Sequence, residues 1–133
     1  MYEPHVLPVM VGQKIMVRND DPFLHNVHAL STINPAFNFG QPNKDPGKPI
    51  EPLKAPETFR VKCDVHPWMS AWVVGLENPY FAASGEDGKF SISGLPPGQY
   101  TLTAWHEQLG TQDVPVTVER GKPTAIKIEF AAP

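Results

Sequence analysis

Prolines and glycines divide this sequence into short runs in which apolar and polar residues alternate, and this pattern restricts the fold more than any other feature. Sixteen prolines and ten glycines are spread over 133 residues. Proline breaks helices, whereas short alternating runs of β-branched and aromatic residues favour strands. We therefore predict an all-β chain, long enough for one compact unit with two lobes.

The first half carries five predicted strands, each a short run bounded by turn residues. They lie within 6–18, which holds two of them, and within 24–31, 57–63 and 70–76. Phe59, Val61 and Cys63 alternate with basic residues, so the thiol is predicted to point inward. The segment 32–56 contains six prolines, and we predict a long loop there.

The second half contains four predicted strands separated by turns rich in glycine and proline. They cover 89–93, 99–107, 113–119 and 124–130. Strands of period two at such regular spacing are typical of a β-sandwich, and we predict one here.

The charge distribution argues against two classes of partner. The net charge is −3, and the eleven lysines and arginines are scattered along the chain, which disfavours nucleic acid and anionic membranes as partners. No apolar run is long enough to span a bilayer, and the N-terminal residues lack the pattern of a signal peptide, so we expect a soluble chain. The acidic pair Asp20 and Asp21 lacks the spacing of a calcium loop and is predicted to form a turn.

Three potential metal ligands fall within the seven residues CDVHPWM: Cys63, His66 and Met69. Soft and borderline metals prefer thiolate, imidazole and thioether donors, and two histidines, one cysteine and a distant axial methionine form a blue-copper site. A buried structural cysteine and a catalytic Cys–His pair are the two alternative interpretations. Metal binding is favoured over catalysis because no oxyanion-hole motif is evident and Met69 would have no catalytic role.

A second imidazole would have to come from another strand. His25 and His28 face opposite ways in an extended segment, so we expect at most one of them at the site and prefer His25, which directly follows a turn. His28 is a candidate ligand of a second metal site, but a surface position on the outer face of the sheet is favoured. His5 and His106 are further candidates for a nearby or second metal site, but a structural role is favoured for each.

The first half resembles a known family of copper proteins. CDVHPWM resembles the copper-binding loop of amicyanin-type cupredoxins, and residues 2–27 are similar to the segment of plastocyanin-like proteins that carries the first ligand. The resemblance covers residues 2–75 and implies a cupredoxin-like Greek-key β-sandwich over 1–76. It implies one type 1 copper ion per chain with four ligands: His25, Cys63, His66 and Met69. The five predicted strands are fewer than a cupredoxin sandwich contains.

The second half resembles a different module. Residues 85–130, with an acidic glycine turn, the sequence LPPG and a strand that begins with tyrosine, resemble carboxypeptidase regulatory-like, transthyretin-like β-sandwich domains. We assign this C-terminal lobe to 77–133. Together the halves resemble the methylamine-utilisation-type, plastocyanin-like proteins of bacterial envelopes, which implies a periplasmic or extracellular location.

The resemblance implies a protein that shuttles single electrons between redox partners and is not an enzyme. Asn19 and Asn26 flank the first ligand and are predicted to hydrogen-bond around the site. Pro67 and Trp68 are predicted to form a surface where redox proteins dock transiently. Two other functions stay open: a copper chaperone or storage module with the same ligands, and a structural or adhesion module in which the cysteine is incidental.

Overall fold

The computed structural model describes residues 2–130, in which every regular element is a β-strand. The strands are β1 Val6–Met10, β2 Ile15–Asn19, β3 His25–Ala29, β4 Asn38–Gln41, β5 Asp45–Ile50, β6 Thr58–Lys62, β7 Ser70–Leu76, β8 Gly98–His106 and β9 Gly110–Val118. They belong to two compact units, one ending at Ser91 and the other beginning at Ile92. The all-β prediction is confirmed. No helix suited to crossing a membrane occurs among residues 2–130.

The first unit is a β-sandwich built from a five-stranded and a two-stranded sheet. The larger sheet has the order β1-β7-β6-β3-β4, and the smaller one pairs β2 with β5. Strand β1 runs parallel to β7, and the other pairs of the larger sheet are antiparallel. Buried apolar side chains from both sheets and from one loop form the core: Val9, Ile15, Val27, Ala29, Leu53, Phe59, Val61 and Val73.

Strand β6 shows how the alternating sequence places the thiol. Phe59 and Val61 are buried, their basic neighbour Arg60 is exposed, and Cys63 continues the buried row just beyond the last residue of the strand. Successive side chains of a strand point to opposite faces, so the same period that buries the two core residues also turns the thiol inward. The predicted inward direction of Cys63 is confirmed.

The predicted loop over 32–56 is wrong in part, because it contains β4 and β5. Strand β4 pairs with β3 at the margin of the larger sheet, and among residues 2–130 β5 pairs with β2 alone. Proline is tolerated in a strand that has a free edge, and β5 includes both Pro46 and Pro49 for that reason. With these two strands the first unit has seven among its described residues, which corrects the predicted five.

The second unit contains an antiparallel hairpin, β8–β9, with an unbroken register from Gly98 opposite Val118 to His106 opposite Gly110. Two of the four predicted strands are confirmed by this hairpin. The segments 89–93 and 124–130 do not pair as strands in the described part of the chain. Alternation orders side chains on two faces, but a strand also needs a hydrogen-bonded neighbour, and the alternating sequence does not supply one.

Candidate metal centre

Three potential ligands from separate parts of the first unit converge on one point. His25 begins β3, Cys63 follows β6, and His66 lies in the loop between β6 and β7. The Nδ1 atoms of the two histidines are 3.1 Å apart, and the Cys63 Sγ atom lies 3.5 Å from Nδ1 of His66. All three donor atoms lie within 4.8 Å of one another. Cys63 and His25 are buried, whereas His66 is partly exposed.

This donor set fits a single metal ion of borderline or soft character. Atoms that bind one such ion at about 2.0–2.3 Å lie about 3–4 Å apart, and Nδ1 of His66 lies within that range of both Nδ1 of His25 and Sγ of Cys63. A thiolate with two imidazole nitrogens suits copper and zinc, whereas calcium and magnesium prefer oxygen donors. The three residues therefore fit the copper predicted for this chain.

The loop from Cys63 to Met69 is closed by two backbone hydrogen bonds. Cys63 N–H donates to the carbonyl of Met69 at 3.2 Å, and Met69 N–H donates to the carbonyl of His66 at 2.9 Å. These bonds keep the first and last residues of the motif adjacent and turn the intervening imidazole toward the thiol. The Met69 side chain is buried. Its role as a fourth ligand stays a prediction.

Asn26 joins the two ligand-bearing segments. Its Oδ1 accepts from the N–H groups of Asp64 at 2.6 Å and Val65 at 3.4 Å, and its Nδ2 donates to Asp64 Oδ2 at 2.8 Å. The hydrogen bond from Asn26, supported by His28 and by Lys62, outweighs burial and lowers the pKa of Asp64 to about 2. The side chain next to His25 is thus tied to Asp64, the residue next to Cys63.

Tyr2 lies against the same junction, a contact that the sequence analysis did not predict. Its hydroxyl donates to the backbone carbonyl of Asn26. Burial raises the pKa of Tyr2, and the neighbouring Cys63 side chain adds to this effect. The hydroxyl is therefore expected to stay protonated and to remain a donor beside the thiol.

Asn19 organises the turn that precedes His25. Its Nδ2 donates to the carbonyls of Phe23 at 3.1 Å, Gln41 at 3.0 Å and Asn43 at 3.0 Å. Its Oδ1 accepts from the N–H of Asp21 at 2.9 Å. A buried amide with this many partners fixes the backbone of the turn, so Asn19 holds in place the segment that leads to His25.

The second ring nitrogen of His25 is held by a carboxylate. Its Nε2 lies 2.7 Å from Oδ2 of Asp21, four residues earlier in the chain. A carboxylate accepts hydrogen bonds, so Nε2 is the donor in this contact and Nδ1 is the ring nitrogen that faces the cluster. Asp21 was predicted only to form a turn. The signal that could have identified it is an acidic residue four positions before a predicted ligand.

Aromatic rings surround the exposed side of the cluster. The Phe23 ring lies 5.1 Å from the ring of His25 and 6.0 Å from that of His66, and the Trp68 ring lies 5.1 Å from that of His66. Phe23 is 52% exposed and Trp68 is 70% exposed. Pro67, the other predicted docking residue, is also exposed. The partly exposed His66 is therefore bordered by apolar surface.

The cluster contains none of the other three histidines. His5 is exposed, and its carbonyl accepts from Trp72 N–H at 2.8 Å. His28 is partly exposed, and its Nδ1 lies 3.3 Å from Oδ1 of Asp64. His106 belongs to the second unit, where its Nδ1 accepts from the N–H groups that follow the strand.

Comparison with known proteins identified one family and one solved structure. Residues 73–131 match the carboxypeptidase regulatory-like domain, in agreement with the resemblance predicted for the second half. The match begins within β7. A purple cupredoxin from Nitrosopumilus maritimus is 25% identical, with a TM-score of 0.43 over 56% of this chain and 81% of that chain. No curated protein matched.

Proposed function

We propose that this protein is a single-copper electron carrier of the cupredoxin type, with His25, Cys63, His66 and Met69 as the ligands. The observation that carries the proposal is the convergence of one buried thiol and two imidazole nitrogens within 4.8 Å. Copper held by these donors exchanges one electron between Cu(II) and Cu(I).

The surroundings of the cluster suit electron transfer because they restrict movement of the ligands. Cys63 is anchored by its strand, Asn26 ties the histidine strand to the cysteine loop, and Asn19 fixes the preceding turn. A site that hardly rearranges between oxidation states exchanges electrons with a small energetic cost. The rigid polar links thus supply what the proposed function requires.

His66 is the partly exposed member of the cluster, whereas His25 and Cys63 are buried. Phe23, Pro67 and Trp68 border His66 with apolar surface, which favours brief contact with another protein over tight electrostatic capture. We therefore expect another redox protein to dock there transiently, with no catalysis by this chain itself. The resemblance to methylamine-utilisation-type proteins favours the periplasm or the cell exterior as the location.

Voltammetry of the copper-loaded protein tests the proposal. We expect a reversible one-electron wave in the native protein and none from a Cys63→Ser variant loaded under the same conditions. Copper that binds and then passes to an acceptor protein, without a reversible wave, would support a chaperone or storage module instead. A melting temperature that copper leaves unchanged would support a structural module, because a ligand that binds only the native state raises its stability.

A further inference from the structure

The contact between Asp21 and His25 has a role beyond shaping the turn. We propose that Asp21 is a positioning residue which, through Nε2 of His25, shifts the preference of the proposed copper site toward Cu(II). The inference rests on the proposed function, because it concerns the same site. Its basis is the 2.7 Å contact between the carboxylate and a ligand whose side chain is 9% exposed.

The carboxylate acts on the opposite nitrogen of the same ring. Nε2 of His25 faces Asp21, while Nδ1 lies 3.1 Å from Nδ1 of His66. A negative charge that accepts the Nε2 proton raises the basicity of Nδ1 and so strengthens its donation to a metal. The more highly charged Cu(II) gains more from this donation than Cu(I) does, so the reduction potential falls.

The position of the Asp21 carboxylate is determined by the turn. Its own N–H donates to Oδ1 of Asn19, whose amide group in turn holds the carbonyls of Gln41 and Asn43. The Asp21 side chain is 47% exposed, so solvent weakens its long-range field. Its influence is therefore expected to act mainly through the direct hydrogen bond to Nε2 of His25.

Asp20 provides a matched control. It carries the same charge one residue away but pairs with Arg18, at 3.0 Å from Nε and 3.1 Å from Nη2, and its side chain is 73% exposed. Asp20→Asn and Asp21→Asn remove the same charge from the same turn, and only the second removes it from the ring of His25. Asparagine keeps the size of the side chain and an acceptor oxygen, so the turn is expected to persist in both variants.

The experiment measures the midpoint potential of the copper-loaded native protein and of both variants. Removing a residue that supports a ligand commonly weakens metal binding tenfold or more, and a tenfold loss confined to Cu(II) raises a one-electron potential by about 59 mV. We expect a rise of about that size in Asp21→Asn and less than a third of it in Asp20→Asn. Equal shifts in the two variants, or no shift in Asp21→Asn, would overturn the role of Asp21.

A second readout needs no copper. In the metal-free protein, the proton on Nε2 of His25 should give a downfield NMR signal because it bonds to a charged acceptor. We expect that signal to move upfield in Asp21→Asn and to stay in place in Asp20→Asn; an unmoved signal in Asp21→Asn contradicts the inference. A native protein without a reversible copper wave would instead overturn the proposed function, so the two failures are distinguishable.

Discussion

Replacing Asn26 by alanine tests whether this side chain holds the two ligand segments together. Three of its hydrogen bonds decide the magnitude: Asp64 N–H to Oδ1 at 2.6 Å, Nδ2 to Asp64 Oδ2 at 2.8 Å and Nδ2 to Asn38 Oδ1 at 3.0 Å. A hydrogen bond contributes about 1 kcal/mol net to stability, and the exposure of Asp64 removes most of the gain from its charge. We therefore expect Asn26→Ala to lower the free energy of unfolding by about 2–3 kcal/mol.

The assay is denaturant unfolding of the metal-free protein, together with hydrogen exchange at the Asp64 amide. A loss of about 2 kcal/mol corresponds to roughly 30-fold faster exchange of that amide. The control is Asn38→Ala, which removes one partner of Asn26 at an exposed position and should cost about 1 kcal/mol or less. A loss below 1 kcal/mol in Asn26→Ala, or one equal to that of the control, would refute the linking role.

Three further predictions concern the frame and the fourth ligand. Burial raises the pKa of Glu57, but hydrogen bonds to its carboxylate outweigh that effect and lower the pKa from 4.5 to about 2. The stability that these bonds contribute is present above pH 4.5 and should be lost as the pH falls toward 2. Glu57→Gln should therefore flatten that part of a pH–stability curve. Gly75→Ala should lower the free energy of unfolding by about 1–3 kcal/mol, because the added methyl would lie 2.6 Å from a Leu53 methyl. The matched control is Gly40→Ala, where the nearest atom is 3.5 Å away. Equal losses in the two variants would contradict this reasoning. Met69→Leu should keep the colour of the copper-loaded protein and raise its potential, whereas an unchanged midpoint would place Met69 outside the ligand set.

The strands that position the candidate ligands were predictable from the sequence because their signals are local. Alternation of apolar and basic residues predicted β6 and the inward direction of Cys63, and short apolar runs bounded by turn residues predicted β3 and β7. The two-residue repeat of a strand placed His25 and His28 on opposite faces, and the turn directly before His25 made it the preferred candidate. The spacing of Cys63, His66 and Met69 within one loop is equally local.

Features that depend on distant partners were not predictable in this way. Strand β5 contains two prolines and is a strand because it pairs with β2, about thirty residues earlier in the chain. Asp21 contacts His25 because Asn19 bonds to three carbonyls, two of which lie in or just after β4. Residues 124–130 keep the alternating burial of a strand without a strand partner in the described part of the chain. The alternating pattern of a sequence predicts which face of a strand each side chain occupies. Which strand lies next to it depends on the folded structure.

The central claim is that Cys63 and two histidines bind one copper ion, and a titration of the purified protein with Cu(II) tests it most directly. Absorption and EPR spectra should show an intense thiolate-to-copper band that saturates at one equivalent, disappears on reduction with ascorbate and returns on oxidation. The same titration of Cys63→Ser should show no such band. Copper bound by the native protein without the band, or a band retained in Cys63→Ser, would contradict the claim.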